Sequence, residues 1–171
     1  MSQTRTVDYL SPYPASLKSQ AQALIAAGKS GEHLLQKYPQ AHSLSNEGQL
    51  YSYAMSLKNE HMRSSSPVSK VIYDDKIHVI NNALGLHTFV SRVQGGKLKA
   101  KHEIRISTLF RRVPEEFLRM IIVHELAHLR EKEHNKAFYR LCEYMEPAYH
   151  QLEFDLRLYL THRDTHGALW D

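Results

Sequence analysis

The stretch Pro114-Glu115-Glu116-Phe117-Leu118-Arg119-Met120-Ile121-Ile122-Val123-His124-Glu125-Leu126-Ala127-His128 is the most informative in this chain. Its apolar run, 117–123, continues through Leu126, Ala127 and Leu129, so the segment is apolar nearly all round and reads as a buried helix. Pro114 suits the first turn, and Glu115 and Glu116 stand where a helix N-terminus favours negative charge. Four residues separate His124 from His128, which puts both imidazoles on one helix face, within reach of a single metal ion. Glu125 lies beside them. Burying two histidines and a carboxylate without partners is costly, and a metal ion removes that cost by pairing all three with itself or its water. The spacing is the H-E-x-x-H pattern of zinc hydrolases, with the glutamate as general base on the metal-bound water.

Beyond the motif, His134 is the nearest candidate for a third ligand. In an unbroken helix it would stand about 9 Å further along the axis than His128 and about 15 Å beyond His124. Ligands of one zinc each place an atom about 2.0–2.1 Å from it, so His134 can serve only if the helix stops soon after His128. No glycine or proline in Leu129-Arg130-Glu131-Lys132-Glu133 forces that stop. Asn135, however, is a good N-cap for a new helix from Lys136 to Met145, with Phe138, Leu141, Cys142 and Met145 as its apolar set. That break favours His134. Glu131, Glu133, Glu143 and Glu146 compete with it, since carboxylates also serve in two-histidine sites.

With 171 residues the chain is most simply one domain, long enough to bury a core without disulfides. Cys142, the single cysteine, lies on an apolar helical stripe and reads as a buried thiol. There is no signal-peptide pattern and no apolar run of membrane-spanning length, so a cytoplasmic protein without a membrane partner is expected. The net charge of +4 is mild, but the basic residues are unevenly placed. Arg92, Lys97, Lys99, Lys101, Arg105, Arg111 and Arg112 crowd the stretch ahead of the histidine helix, with Glu103 as its one acid. Such a stretch attracts anions, although lysines also protect exposed strands.

Residues 1–15 carry little periodicity. Helices are expected around 16–27 and 31–38, separated by Gly28 and Gly31, and around 46–62, where Leu50, Tyr53, Ala54, Leu57 and Met62 recur at helical spacing. Ser64-Ser65-Ser66-Pro67 reads as a linker. The expected division is therefore an N-terminal helical extension, 1–66, and a catalytic domain, 67–171. Past the linker the period changes to two. Val71 and Tyr73, Ile77 and Val79, then Leu86, Thr88 and Val90, then Leu98, Ile104 and Ile106 alternate with polar residues. Asn81-Asn82 and Gly95-Gly96 supply turns, the latter a hairpin signal. The expected fold is α+β, a small antiparallel sheet of three or four strands packed on the H-E-x-x-H helix. The run 103–107 would lie just upstream of that helix, as a strand able to take an extended peptide by main-chain pairing. The C-terminal His162, His166 and Trp170 form no ligand spacing; His166 could reach a second metal, but a mobile tail is the stronger reading.

The pattern H-E-L-A-H-L-x-x-x-x-H-x-x-x-F, from His124 through His134 to Phe138, resembles the YgjP-like family of zinc metallopeptidase-type proteins. Gly95-Gly96-Lys97-Leu98, Pro114-Glu115, Glu146-Pro147-Ala148-Tyr149-His150 and the stretch from Leu152 to His162 extend the resemblance over roughly residues 30–162. It implies a minimal zincin-like, SprT-like α+β fold, with His124, His128 and His134 as ligands of one Zn2+ and Glu125 as catalytic base. Glu131 stands where metzincins carry glycine, so the turn to His134 is expected to differ from theirs.

Three functions follow. The first is a metallopeptidase-type hydrolase acting on peptide carbonyls. The second is a nucleoside-triphosphate pyrophosphatase, since members of the family have been named UTP pyrophosphatases; it would release UMP and diphosphate at the same zinc. A P-loop is absent, so Lys97, Lys99 and Arg105 would hold the phosphates. The third, by resemblance to SprT and WLM-type proteases, is cleavage of proteins bound to nucleic acid. A second electrophile would come from Tyr149, His150 or Arg105.

Overall fold

A computed structural model describes residues 7–77, 85–94 and 97–171, with side chains outside 78–101. Val79, Asn81, Asn82, Gly95 and Gly96, read above as strand and turn residues, lie outside the described residues. Three helices come first: α1 (Ala15–Ala26), α2 (Ser30–Lys37) and α3 (Glu47–His61). Gly28, at φ 71°, ends α1 in the left-handed conformation that glycine adopts at little cost. The N–H groups of Gly28 and Lys29 there donate to the carbonyls of Ile25 and Leu24. Asn46 starts α3 through a capping box, its Oδ1 accepting from Gln49 N at 2.8 Å.

The sheet that follows has strands β1 (Val68–Asp74), β2 (Gly85–Gln94) and β3 (Lys97–Ser107), in the order β1-β3-β2. β2 and β3 pair antiparallel, Gln94 opposite Lys97 through Gly85 opposite Ile106. β1 joins β3 in parallel, Val71 opposite Ile104 and Tyr73 opposite Ile106. The sheet is therefore mixed, not antiparallel. A period of two records which face a side chain takes and carries no information about strand direction. Ile77 falls beyond the end of β1. The pairing also corrects the peptide-strand expectation for 103–107: β3 is the central strand, bonded on both edges over 103–106 and to β1 at Ser107.

A 3-10 helix (Thr108–Arg112) links β3 to α4 (Glu115–Ala127), which is followed by α5 (Lys136–Met145) and α6 (Tyr149–His166). Helix α4 packs against α3, α5, α6 and β2. Its Phe117, Leu118, Ile122, Val123, Leu126 and Ala127 are fully buried. One core cluster joins them to Ile104 and Ile106 of the sheet, to Leu34, Leu50, Ala54 and Met62 from α2, α3 and the end of α3, and to Leu156 and Tyr159 of α6.

The C-terminal segment is not the mobile tail expected from its sequence. His162 is buried, with Nδ1 2.6 Å from Ser30 Oγ, and the indole N–H of buried Trp170 donates to the Tyr38 carbonyl at 2.9 Å. His166 Nε2 lies 3.2 Å from the Ile25 carbonyl oxygen. Further up α6, Asp155 is almost wholly buried and accepts from Lys37 Nζ at 2.7 Å, Tyr38 OH at 2.5 Å and Gln151 Nε2 at 3.0 Å. These bonds fasten α2 to α6. Among the described residues no helix is long and apolar enough to cross a membrane.

Candidate metal centre

Helix α4 ends at Ala127, with His128 as its C-cap. The stop that the sequence leaves unexplained is made by a side chain. His128 Nδ1 lies 2.8 Å from the Glu131 carbonyl oxygen, while the N–H groups of Arg130 and Glu131 both turn back onto the Ala127 carbonyl. Asn135 then caps α5, its Oδ1 accepting from Phe138 N at 2.9 Å. The chain between these two points folds back and carries His134 over the end of α4.

The result is a cluster of three imidazoles. His134 Nε2 lies 3.3 Å from His124 Nε2 and 3.2 Å from His128 Nε2, and the ligand atoms of all three fall within 4.8 Å of one another. Nitrogens about 2.0–2.1 Å from a tetrahedral ion stand roughly 3.3–3.4 Å apart, so the cluster has the dimensions of a three-histidine metal site. Tautomers agree with this. A carbonyl oxygen only accepts, so His128 carries its proton on Nδ1 and turns the Nε2 lone pair to the cluster. Among the described residues this is the one group of histidine, cysteine or carboxylate side chains with such spacing. Glu143 instead pairs with His150 at 2.6 Å, and Glu146 with Arg119 at 2.8 Å.

Electrostatics mark the same place. Burial, helped by His128 and His134, pushes the His124 imidazole down to about 3, and burial holds His128 below its ordinary value. Both are thus neutral and ready to donate lone pairs across the neutral range. Glu125 is 2% exposed, and burial pushes its carboxyl up to about 8. Its Oε2 is buried with no hydrogen-bond partner in the protein. An orphaned carboxyl oxygen on the residue next to His124 fits a cation with a water molecule at the cluster: the cation would favour the ionised carboxylate and the water would supply the missing partner. Phe138 closes the back of the site. Its ring is fully buried, with centroids 4.9, 4.6 and 4.9 Å from those of His124, His128 and His134. His134 itself is exposed, so the cluster opens to solvent on its side.

The other residues assigned to substrate from the sequence do not gather here. Arg105 bonds to Asp74 at 3.0 Å and Glu103 at 3.4 Å, and its neighbours Ile104 and Ile106 face the core, so its own side chain leaves from the opposite face of the sheet. Lys97 and Lys99 belong to β3, with side chains outside the described residues. His150 is largely exposed and held by Glu143. Tyr149 does reach the cluster, but from behind: it is fully buried, with its hydroxyl 2.8 Å from His124 Nδ1. Burial, reinforced by Glu153, pushes its phenol upward. Sequence reading missed this arrangement, although Tyr149, Glu153 and Arg157 at four-residue spacing were the signal available.

The H-E-x-x-H helix, the returning histidine and the small sheet of this α+β chain are the features of a hydrolase with a metallopeptidase-like domain. The model of the YgjP-like metallopeptidase domain matches residues 28–159, and the chain belongs to the YgjP-like family. It is 61% identical over 153 residues to a UTP pyrophosphatase of Escherichia coli (strain K12), an alignment covering 90% of this chain and 92% of that protein. No solved structure matches the chain.

Proposed function

We propose that the protein is a zinc-dependent hydrolase of nucleoside triphosphates, with UTP as its first candidate, cleaving between the α- and β-phosphates. The observation that carries this reading is the 61% identity to a protein named UTP pyrophosphatase, sustained over nine-tenths of both chains. The geometry is compatible with it. His124, His128 and His134 would hold the ion through Nε2, leaving the exposed side open to substrate. When bound, zinc supplies Lewis-acid polarisation and a lowered pKa for water. Glu125 then serves as the general base, its partnerless Oε2 accepting the proton of the attacking water. The water oxygen bonds to the α-phosphorus, the bond from that phosphorus to the bridging oxygen breaks, and diphosphate leaves with the electron pair.

Peptide hydrolysis is the second reading, favoured by the metallopeptidase description of the family model. It uses the same ligands and base. Against it stands β3, whose edges are both occupied over 103–106, nearly all of the run expected to take a peptide.

The deciding experiment incubates zinc-loaded protein with UTP and measures diphosphate, monophosphate and orthophosphate separately. Diphosphate and UMP in equal amounts are expected, with Glu125→Gln keeping its metal and losing roughly 10²–10⁴-fold in rate. Zinc-replete wild type that releases no diphosphate but cleaves a peptide library would overturn the nucleotide reading.

A further inference from the structure

Two of the three imidazoles have a 2.8 Å contact behind the ring, and one of these comes from a buried side chain on another helix. Tyr149 is the first residue of α6 and is fully buried, so its hydroxyl depends entirely on protein partners. One is His124 Nδ1, at 2.8 Å. The Glu153 carboxylate, one turn along the same helix face, and the Cys142 thiol lie close enough to act on the phenol electrostatically. Arg157, a further turn on, keeps Glu153 in place with Nε 3.4 Å from Oε1 and is itself anchored on the Tyr9 carbonyl at 3.0 Å. At the other end, Glu146 fixes the start of α6 against α4: its Oε1 accepts from Ala148 N at 3.1 Å and its Oε2 meets Arg119 Nε at 2.8 Å. The helix that carries His124 and the helix that carries Tyr149 are therefore held in register.

We infer that Tyr149 is a positioning residue for His124, fixing the imidazole in the tautomer that turns its Nε2 lone pair towards His128 and His134. The geometry leads there: His124 Nε2 is turned to the cluster, 3.3 Å from His134 Nε2, so a ligand lone pair on Nε2 puts the ring proton on Nδ1, where the Tyr149 hydroxyl lies 2.8 Å away. The phenol oxygen is then the acceptor for His124 Nδ1–H, and Nε2 is left unprotonated. The contact fixes ring orientation as well as tautomer, which is how partners behind a ligand raise metal affinity. His128 receives the same treatment from the Glu131 carbonyl, so two of the three imidazoles are set by protein bonds.

This inference rests on reading the three histidines as ligands, and its test separates the two. Zinc affinity is measured by competition with a chromophoric chelator, for wild type and Tyr149→Phe. The expected result is affinity lower by about 10–100-fold in the variant, with the metal-free melting temperature lower by no more than about 4 °C. Equal affinities beside a wild type that binds zinc would overturn the role of Tyr149. A wild type that binds no zinc would overturn the metal-site reading itself. Nitrogen-15 spectra of histidine-labelled, metal-free wild type give a check that needs no variant: His124 is expected protonated on Nδ1, and protonation on Nε2 would refute the inference even if Tyr149→Phe failed to fold.

Discussion

Removing the Phe138 ring is expected to damage the metal centre and the core by separable amounts. The ring is fully buried and lies within 5 Å, centroid to centroid, of all three imidazoles, so it serves as their common back wall. Truncating a buried phenylalanine to alanine costs about 3–5 kcal/mol. For a chain of 171 residues that corresponds to a melting temperature lower by roughly 6–20 °C without metal. The second effect is on the increment that zinc adds. At a free zinc concentration about 100 times the wild-type Kd, binding adds about 2.7 kcal/mol. If imidazoles freed of their wall bind about 10-fold or 100-fold more weakly, the same zinc adds only about 1.4 or 0.4 kcal/mol. Thermal melts of wild type, Phe138→Leu and Phe138→Ala, each with chelator and with buffered zinc, measure both quantities. A lowered metal-free melting temperature with an unchanged zinc increment would rule out the back-wall role, since Phe138 would then fill space without holding ligands.

Two more perturbations test the frame around the site. Burial, with His166, holds the His162 imidazole below its ordinary value, so the unfolded chain takes the proton first. Stability is therefore full above about pH 6.5 and declines as pH falls from there through the folded value; urea melts of wild type and His162→Gln should converge as the medium is acidified, and a gap independent of pH would count against it. Asp155→Ala strands the Tyr38 hydroxyl and releases Lys37 to solvent; because the Lys37 side chain is already 37% exposed, the expected loss is about 2–4 kcal/mol, below that of a fully buried pair, and equilibrium denaturation giving under 1 kcal/mol would contradict the fastening of α2 to α6.

How far such features were legible in the sequence depended on whether their cause was local. The apolar spacing of Leu50, Tyr53, Ala54 and Leu57, the Asn135 cap and the Gly28 terminus are local signals, and the helices they mark lie within a residue or two of the expected spans. The approach of His134 to the other two histidines was foreseen as a requirement but not as a mechanism. The turn is made by a side chain seizing a carbonyl three residues on, a bond that no glycine or proline announces. Strand direction was out of reach because parallel and antiparallel pairing impose the same alternation on Val71, Tyr73, Ile104 and Ile106. The ordered C-terminus was invisible for a different reason: His162 and Trp170 are held by Ser30 and Tyr38, each 132 positions away.

The same distinction bears on the choice between nucleotide and peptide. Three imidazoles and a buried glutamate activate water towards either a phosphorus or a carbonyl carbon, so the local motif is silent on substrate. What differs is the demand made on the surroundings. An extended peptide is bound through main-chain hydrogen bonds and needs a strand with a free edge beside the metal. The strand leading to α4 has none over 103–106, since β1 pairs with one side of it and β2 with the other. A peptide would have to use the outer edge of β2, the strand that packs against α4, and would run there alongside backbone that carries Arg92. A nucleoside triphosphate makes no such demand on a strand edge, and the exposed His134 side of the cluster leaves it an open approach. Substituting proline within 86–92 on a position whose N–H points outward from the sheet therefore separates the readings. It should abolish peptide binding through that edge and leave diphosphate release from UTP largely intact.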